Sequence, residues 1–281
     1  MTLDIRAMRA EDVDFAVRLT NAEGWDYGPE DFLRFRRMDP EGTLVAWEGS
    51  SRVGITTATA YEKTTWIGNV IVEPEARGKG YGRALVERAM RYGEEREAET
   101  SWLNAYANVE GFYAAMGFRT LGRTWRYRGR ADGRLSGGPR LVHVSELDAL
   151  RAFDSPYFGN DRSKVLAEFY HEYGDAFFVW SEEGIQGYAV GARYPGGMDV
   201  APWVALPGRP DVAESLLLHL IAAFPGSEVA VAVPEENEAA MGLVRDLGFQ
   251  PVFETIRMAH GPGTGGIDPS GIFGLGGLEK G

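Results

Sequence analysis

Hydrophobic positions along this chain switch repeatedly between the spacing of strands and the spacing of helices, and the switches mark its elements. A run from Leu3 to Met8 predicts a strand. Val13, Ala16 and Val17 share one face of a helix that begins near Glu11 and stops at Gly24. The loop "EGWDYGPEDF" then brings Trp25, Asp26 and Tyr27 together before a second helix carrying Phe32, Leu33 and Phe35. Leu44 to Trp47, Val53 to Tyr61 and Thr65 to Val72 are joined by short polar turns and read as a meander of three strands. Beyond Gly82, Leu85, Val86, Ala89 and Met90 return at helical spacing, with Glu87, Arg88, Arg91 and Glu94 on the opposite face. "SWLNAYA" from Ser101 follows as a buried strand. Val109, Phe112, Tyr113 and Met116 predict another helix, and "GFRTLGRTWRYRG" from Gly117 a returning strand.

The pattern then repeats. Gly117 and Phe118 recur as Gly248 and Phe249, and the helical face Leu85, Val86, Ala89, Met90 recurs as Leu216, Leu217, Leu220, Ile221. Val109, Phe112, Tyr113, Met116 become Ala240, Leu243, Val244, Leu247 in the same register, and Trp47 and Gly54 match Trp180 and Gly187 with a small length change between. Duplication of one α+β unit accounts for this. The copies are expected at residues 1–130 and 139–281, with "RADGRLSGGP" as the linker. The glycine-rich end holds Ile272, Phe273, Leu275 and Leu278, too apolar for a free tail, so a closing strand is expected there.

Composition narrows the chemistry. The 281 residues are 44% hydrophobic and 25% charged, as a globular fold requires, and no apolar run reaches the roughly 20 residues of a membrane helix. The start has no signal-peptide pattern, so a cytoplasmic location is expected. Without cysteine there is no thiolate metal site and no cysteine nucleophile. His143, His171, His219 and His260 are too scattered for a metal site, and no metal is expected. A net charge of −12 argues against a nucleic-acid surface and suits a cationic partner.

One stretch carries specific chemistry. "EARGKGYGRAL" sets Gly78, Gly80 and Gly82 at the start of a helix, where unsatisfied backbone N–H groups attract anions. It is not a P-loop, since Lys79 lies between glycines and no Ser or Thr follows it. It is not a dinucleotide fingerprint either, because Arg83 stands where the last glycine belongs and a meander precedes it. In the second copy the same place reads Gly208, Arg209, Pro210, Asp211, a proline without an amide donor and an aspartate that repels phosphate.

The pattern R-x-x-G-x-G, Arg77, Gly80 and Gly82, after the strand "WIGNVIV" and before a helix pair ending in Tyr113 to Phe118, resembles the acyl-CoA loop of the GNAT superfamily of N-acetyltransferases. The resemblance implies two tandem GNAT-like domains, each a mixed, mainly antiparallel sheet flanked by helices, with an intact first copy and a degenerate second. It implies acetyl-CoA as cosubstrate, its pyrophosphate held at Arg77, Gly78, Lys79, Gly80, Tyr81, Gly82 and Arg83. The pantetheine arm would lie along Val70, Ile71 and Val72, where an Ile71 or Val72 amide meets the thioester carbonyl, with a further contact at Asn108. Asn108 also reads as a helix N-cap, and it stands five residues before the tyrosine where many relatives have seven.

The same resemblance makes Tyr113 the acid that protonates the departing thiolate, although Tyr113 also belongs to an apolar helix face. Its counterpart Val244 has no proton to give. Glu23, Trp25, Asp26 and Tyr27 fall where the acceptor pocket is expected. Glu23, Asp26 and Glu73 are positional candidates for the base that must deprotonate an ammonium group before it can attack. The expected activity is acetyl transfer to a primary amine of a small molecule or peptide by direct attack in a ternary complex. The alternative is a non-catalytic acyl-CoA sensor.

Overall fold

The computed structural model describes residues 2–194, 196–262 and 266–281. The first copy runs β1 (Leu3–Ala7), α1 (Val13–Ala22), α2 (Pro29–Met38), β2 (Thr43–Glu48), β3 (Ser51–Ala60), β4 (Thr64–Val72), α3 (Tyr81–Glu94), β5 (Thr100–Ala105), α4 (Glu110–Ala114) and β6 (Arg119–Gly129). The second repeats it as β7 (Pro139–Leu141), α5 (Leu147–Phe158), α6 (Ser163–Tyr173), β8 (Phe177–Glu182), β9 (Gly184–Tyr194), β10 (Gly197–Ala205), α7 (Pro210–Ala223), β11 (Glu228–Pro234), α8 (Glu238–Asp246) and β12 (Gln250–His260). A short β13 (Ile272–Gly274) follows. Part of the expected glycine-rich tail, residues 263–265, lies outside the described residues.

All these strands form one sheet, mostly antiparallel, in the order β1-β2-β3-β4-β5-β12-β6-β11-β10-β9-β8-β7, with β13 beside β10. The sheet does not divide at the linker. Each copy's last strand crosses over: β12 pairs with β5 of the first copy, and β6 pairs with β11 of the second. The two exchanged strands pair with each other along the middle of the sheet. The linker packs as well, with the Arg134 N–H donating to the Leu218 carbonyl of α7 at 3.0 Å.

Burial follows the expected faces. Leu85, Val86 and Ala89 of α3 are buried, as are Leu216, Leu217, Leu220 and Ile221 of α7. On the other side, α1 and α2 meet α5 and α6 over a shared aromatic core of Phe32, Phe35, Phe158, Phe169 and Phe177. Ion pairs tie this junction, among them Arg34 Nε to Glu172 at 2.7 Å, Arg37 to Glu168 and to Glu172 at 2.8 Å each, and Lys164 to Asp39 at 2.5 Å. The copies are thus joined by strand exchange, an apolar core and charge.

Candidate functional site

The cleft in the first copy begins with a splayed pair of strands. β4 and β5 run parallel and pair only from Thr64 to Trp66 against Thr100 to Trp102. Beyond, the strands part and leave an opening of about 640 Å³, lined by Ile67 to Val72 of β4, Leu103 to Ala105 of β5, the glycine loop and α4. The β3–β4 register slips between Ile55 and Thr57, and the extra residue includes Asn69 at φ 52°. A bulge of this kind turns the backbone off its ladder, as bulges beside functional sites commonly do. Further on, the Glu73 N–H donates to Val53 at 2.9 Å, so strand alternation turns Val72 the other way, into the opening. From that side Arg77 Nε donates to the Val72 carbonyl at 3.0 Å.

The glycine loop closes the outer end. Gly78 and Gly80 adopt φ of 79° and 84°, and a β-carbon on either would meet nothing within 4 Å. Both the left-handed conformation and the open face select glycine. Gly80 flanks the first turn of α3 with no side-chain cap, and that turn contains no acidic residue. Its leading amides are therefore available to an anion. The loop's cations have carboxylate partners: Arg77 reaches Glu23 at 2.7 Å and Lys79 reaches Glu48 at 2.9 Å. The Tyr81 hydroxyl, first, and Lys79 hold the Glu48 carboxyl below the usual range. Arg83 leans along the helix toward Glu87.

α4 forms the facing wall. Tyr113 is 8% exposed, lines the cleft, and has no hydrogen-bond partner among the described residues. Burial pushes its hydroxyl up to about 12. Phe112, on the same apolar helix face as Tyr113, is 37% exposed and lines the cleft. Asn108 lines the cleft but does not cap the helix. A 3-10 turn from Ala107 to Val109 starts the helical path early and takes Asn108 into its interior, with no side-chain capping bond.

Trp25 and Glu23 line the same cleft, and Tyr106 joins them. The rings of Trp25 and Tyr106 lie 6.3 Å apart, and Tyr106 meets Phe253 of β12 at 5.7 Å, so an exchanged strand of the second copy supplies part of this aromatic wall. Tyr27 lies against Trp25 with its ring tilted, at 6.3 Å. Asp26 sits exposed on the connecting loop at φ 52°. Glu73 is bonded to Arg18 of α1. Gly68, Asn69, Asn104 and Tyr106 line the cleft without having been singled out in the sequence, and Phe112 lines it too. Asn69 and Asn104 carried a usable signal, each as a polar residue flanked by apolar ones in a strand.

The equivalent place in the second copy is filled. β10 and β11 also pair only at their start, Gly197 to Asp199 against Glu228 to Ala230. β13 then enters the gap, pairing with Trp203 and Val204 of β10, while Leu275 N–H donates to Ala232 of β11 at 2.9 Å. Phe273 is buried there against Trp203, ring to ring at 5.2 Å.

This paired geometry, a split sheet with an amide-rich helix start at one splay, agrees with known proteins. A family model described as "Acetyltransferase (GNAT) family" matches residues 9–118, and one described as "Acetyltransferase (GNAT) domain" matches residues 150–274. The chain belongs to the GNAT acetyltransferases, as a tandem member, and is an acyltransferase. It is 26% identical over 245 residues to holothin acyltransferase of Pseudoalteromonas sp. (strain SANK 73390), covering 85% of this chain and 82% of that protein. Among solved structures, an acetyltransferase fold from Pyrococcus horikoshii superposes with a TM-score of 0.85 at 24% identity, covering 99% of this chain and 96% of that one. A tandem GNAT protein from the clavulanic acid biosynthesis pathway gives 0.63 at 17% identity, covering 94% and 100%.

Proposed function

We propose that the first copy transfers an acetyl group from acetyl-CoA to a primary amine of a small molecule or peptide, by direct attack while both are bound. The observation that carries this reading is the meeting of three features in one cleft: a free strand edge at Val72, an uncapped helix start at Gly80, and the unpartnered hydroxyl of Tyr113. Bound acetyl-CoA supplies the activated acyl carbon and the thiolate leaving group. The amides of Gly80 to Arg83, with Arg77 and Lys79, hold the pyrophosphate, and its charge displaces Glu23 and Glu48 from those cations. Val70, Ile71 and Val72 pair with the amide-bearing arm in the manner of an added strand. A Val72 amide, turned toward the opening, stabilises the oxyanion formed on attack, and Tyr113 protonates the departing sulfur. Asn108 contacts the arm from the α4 side, and Trp25, Tyr27 and Tyr106 shape the acceptor's end.

The test is acetyl-CoA thiol release across an amine panel beside a calorimetric titration of CoA. Acceptor-dependent release that falls with Tyr113→Phe supports the reading. Tight CoA binding with no turnover on any amine overturns it in favour of a sensor.

A further inference from the structure

The base of the fork between β4 and β5 is polar without being charged. Asn69 stands three residues beyond Trp66 on β4 and Asn104 two beyond Trp102 on β5, and Trp66 and Trp102 are the last residues that the two strands pair. Both asparagines line the cleft. Asn104 is engaged at both ends. Its Nδ2 donates to the Leu278 carbonyl of the tail at 2.8 Å, and the Thr124 and Thr255 hydroxyls lie 3.3 and 3.4 Å from its carbonyl oxygen.

Asn69 is engaged at one end alone. The residue is 5% exposed, its Nδ2 donates to the Thr57 hydroxyl at 3.1 Å, and no donor among the described residues meets its carbonyl oxygen. Thr57 is buried, and the Thr56 hydroxyl beside it donates to the Gly68 carbonyl at 3.0 Å, so β3 holds the bulge that carries Asn69. A nearly buried carboxamide fixed at one end and open at the other costs stability unless a partner completes it. The charged side chains of the cleft lie elsewhere. Among the described residues they are Glu23 and Arg77, paired at 2.7 Å, and Arg83, which leans toward Glu87. A carboxylate or an ammonium group brought to Asn69 would find no counter-ion there. A neutral amide, with a donor and an acceptor of its own, matches the carbonyl oxygen and the spare N–H of Asn69.

Resting on the acetyl-transfer reading above, we propose that Asn69 selects the acceptor by binding a neutral amide group on it, so that the acceptor is an amino amide. Asn69 directly precedes Val70, Ile71 and Val72, and three residues of strand place it about 10 Å from the Val72 amide. The amide group it binds therefore stands a few bonds from the reacting amine. Thr57 acts through Asn69 as a positioning residue, because its hydroxyl fixes the turn of the carboxamide.

The experiment measures kcat/KM with acetyl-CoA for β-alaninamide, its carboxylate β-alanine and its apolar isostere 3-methylbutylamine, with glycylglycinamide as a peptide-borne amide, and acetyl-CoA affinity by calorimetry. Wild type should favour the amides over the other two by about a hundredfold or more, and the faster amide shows whether the group belongs to a free compound or a peptide. Asn69→Gly suits the left-handed backbone at φ 52° and should bring that ratio down to a few-fold, with acetyl-CoA affinity unchanged. If that variant does not fold, Thr57→Val keeps the shape, frees the carboxamide and should lower the ratio roughly tenfold. Comparing one ratio across variants cancels the amines' own basicities. A ratio that wild type lacks, or that the folded variant keeps, overturns the assignment alone. Absence of wild-type turnover on these and every other amine overturns it together with the acetyl-transfer reading.

Discussion

The two copies have the same split between strands and use it in opposite ways. In the first, β4 and β5 part around an open cleft. In the second, the chain's own β13 lies in the gap and bonds both walls, as an added strand would. The helix starts differ in parallel. α3 begins at Gly80 with free amides and no acidic residue in its first turn. α7 begins at Pro210, and Asp211 puts a carboxylate at the amide end, paired with Arg209 at 3.0 Å. The second copy has kept the architecture of a binding site and filled it from within, which turns a ligand slot into a seam of the core.

That comparison can be broken at its most buried point. Phe273→Ala should cost about 3–5 kcal/mol, because it opens a cavity in a closed seam. Thermal or urea unfolding would show it, and an unchanged midpoint would mean that β13 contributes little. Removing the residues after Gly266 should lower the melting temperature further.

A paired substitution in the loops separates the copies next. Gly80→Glu places a charged side chain on a left-handed residue in the anion's path and should weaken acetyl-CoA binding by about a hundredfold or more. Gly208 has the same φ of 84° and the same open surroundings. Gly208→Glu should leave acetyl-CoA affinity unchanged, and equal losses at both positions would show that the effect is strain alone.

Tyr113 and Val244 supply the third contrast. Tyr113→Phe should lower kcat on the order of a hundredfold while acetyl-CoA affinity holds. Because burial raises the hydroxyl to about 12, its protonated, active form persists well beyond the ordinary tyrosine pKa of about 10. Rates limited by this acid should not decline below that pH, and an alkaline fall near pH 9 that vanishes in Tyr113→Phe would contradict the raised value.

The smallest effect belongs to α7. The Arg209 hydrogen bond, followed by local backbone N–H groups, lowers the Asp211 carboxyl, so its contribution is present above the unfolded value of about 3.9 and lost as pH falls through the lower folded value. The side chain is largely exposed, and Asp211→Asn should cost no more than a few tenths of a kcal/mol at neutral pH. The difference should shrink as the pH is taken below the ordinary carboxylate range, and a difference that grew there would contradict the sign.

Much of this was legible in the sequence, for physical reasons that also mark where legibility stops. The repeat register held because a core face has a fixed period, and the glycine loop stood out because left-handed backbone and an open face exclude other residues at Gly78 and Gly80. The apolar spacing of α4 was legible but not what its face meets: Phe112 and Tyr113 line the cleft, and periodicity does not distinguish a core from an apolar pocket wall. Asn108 misled because capping depends on where the first turn begins, here two residues earlier. The partners of β6 and β12 were invisible, because an alternating strand fits equally well beside either copy. The path of the tail was hidden for a related reason: "GLGGLEKG" announces an ordered end without saying that Asn104 and Tyr61 of the first copy hold it.

The strand exchange also sets an order of events for a chain made from its N-terminus. β5 cannot gain its second neighbour until residues Gln250–His260 exist, although β1 to β5 are complete by residue 105. During synthesis of nearly the whole second copy, one edge of the first sheet is unpaired and open to the wrong partner. A chain ending before residue 250 should therefore leave the β5 edge uncovered, and fast amide exchange at Ser101–Ala105 in such a fragment would show it.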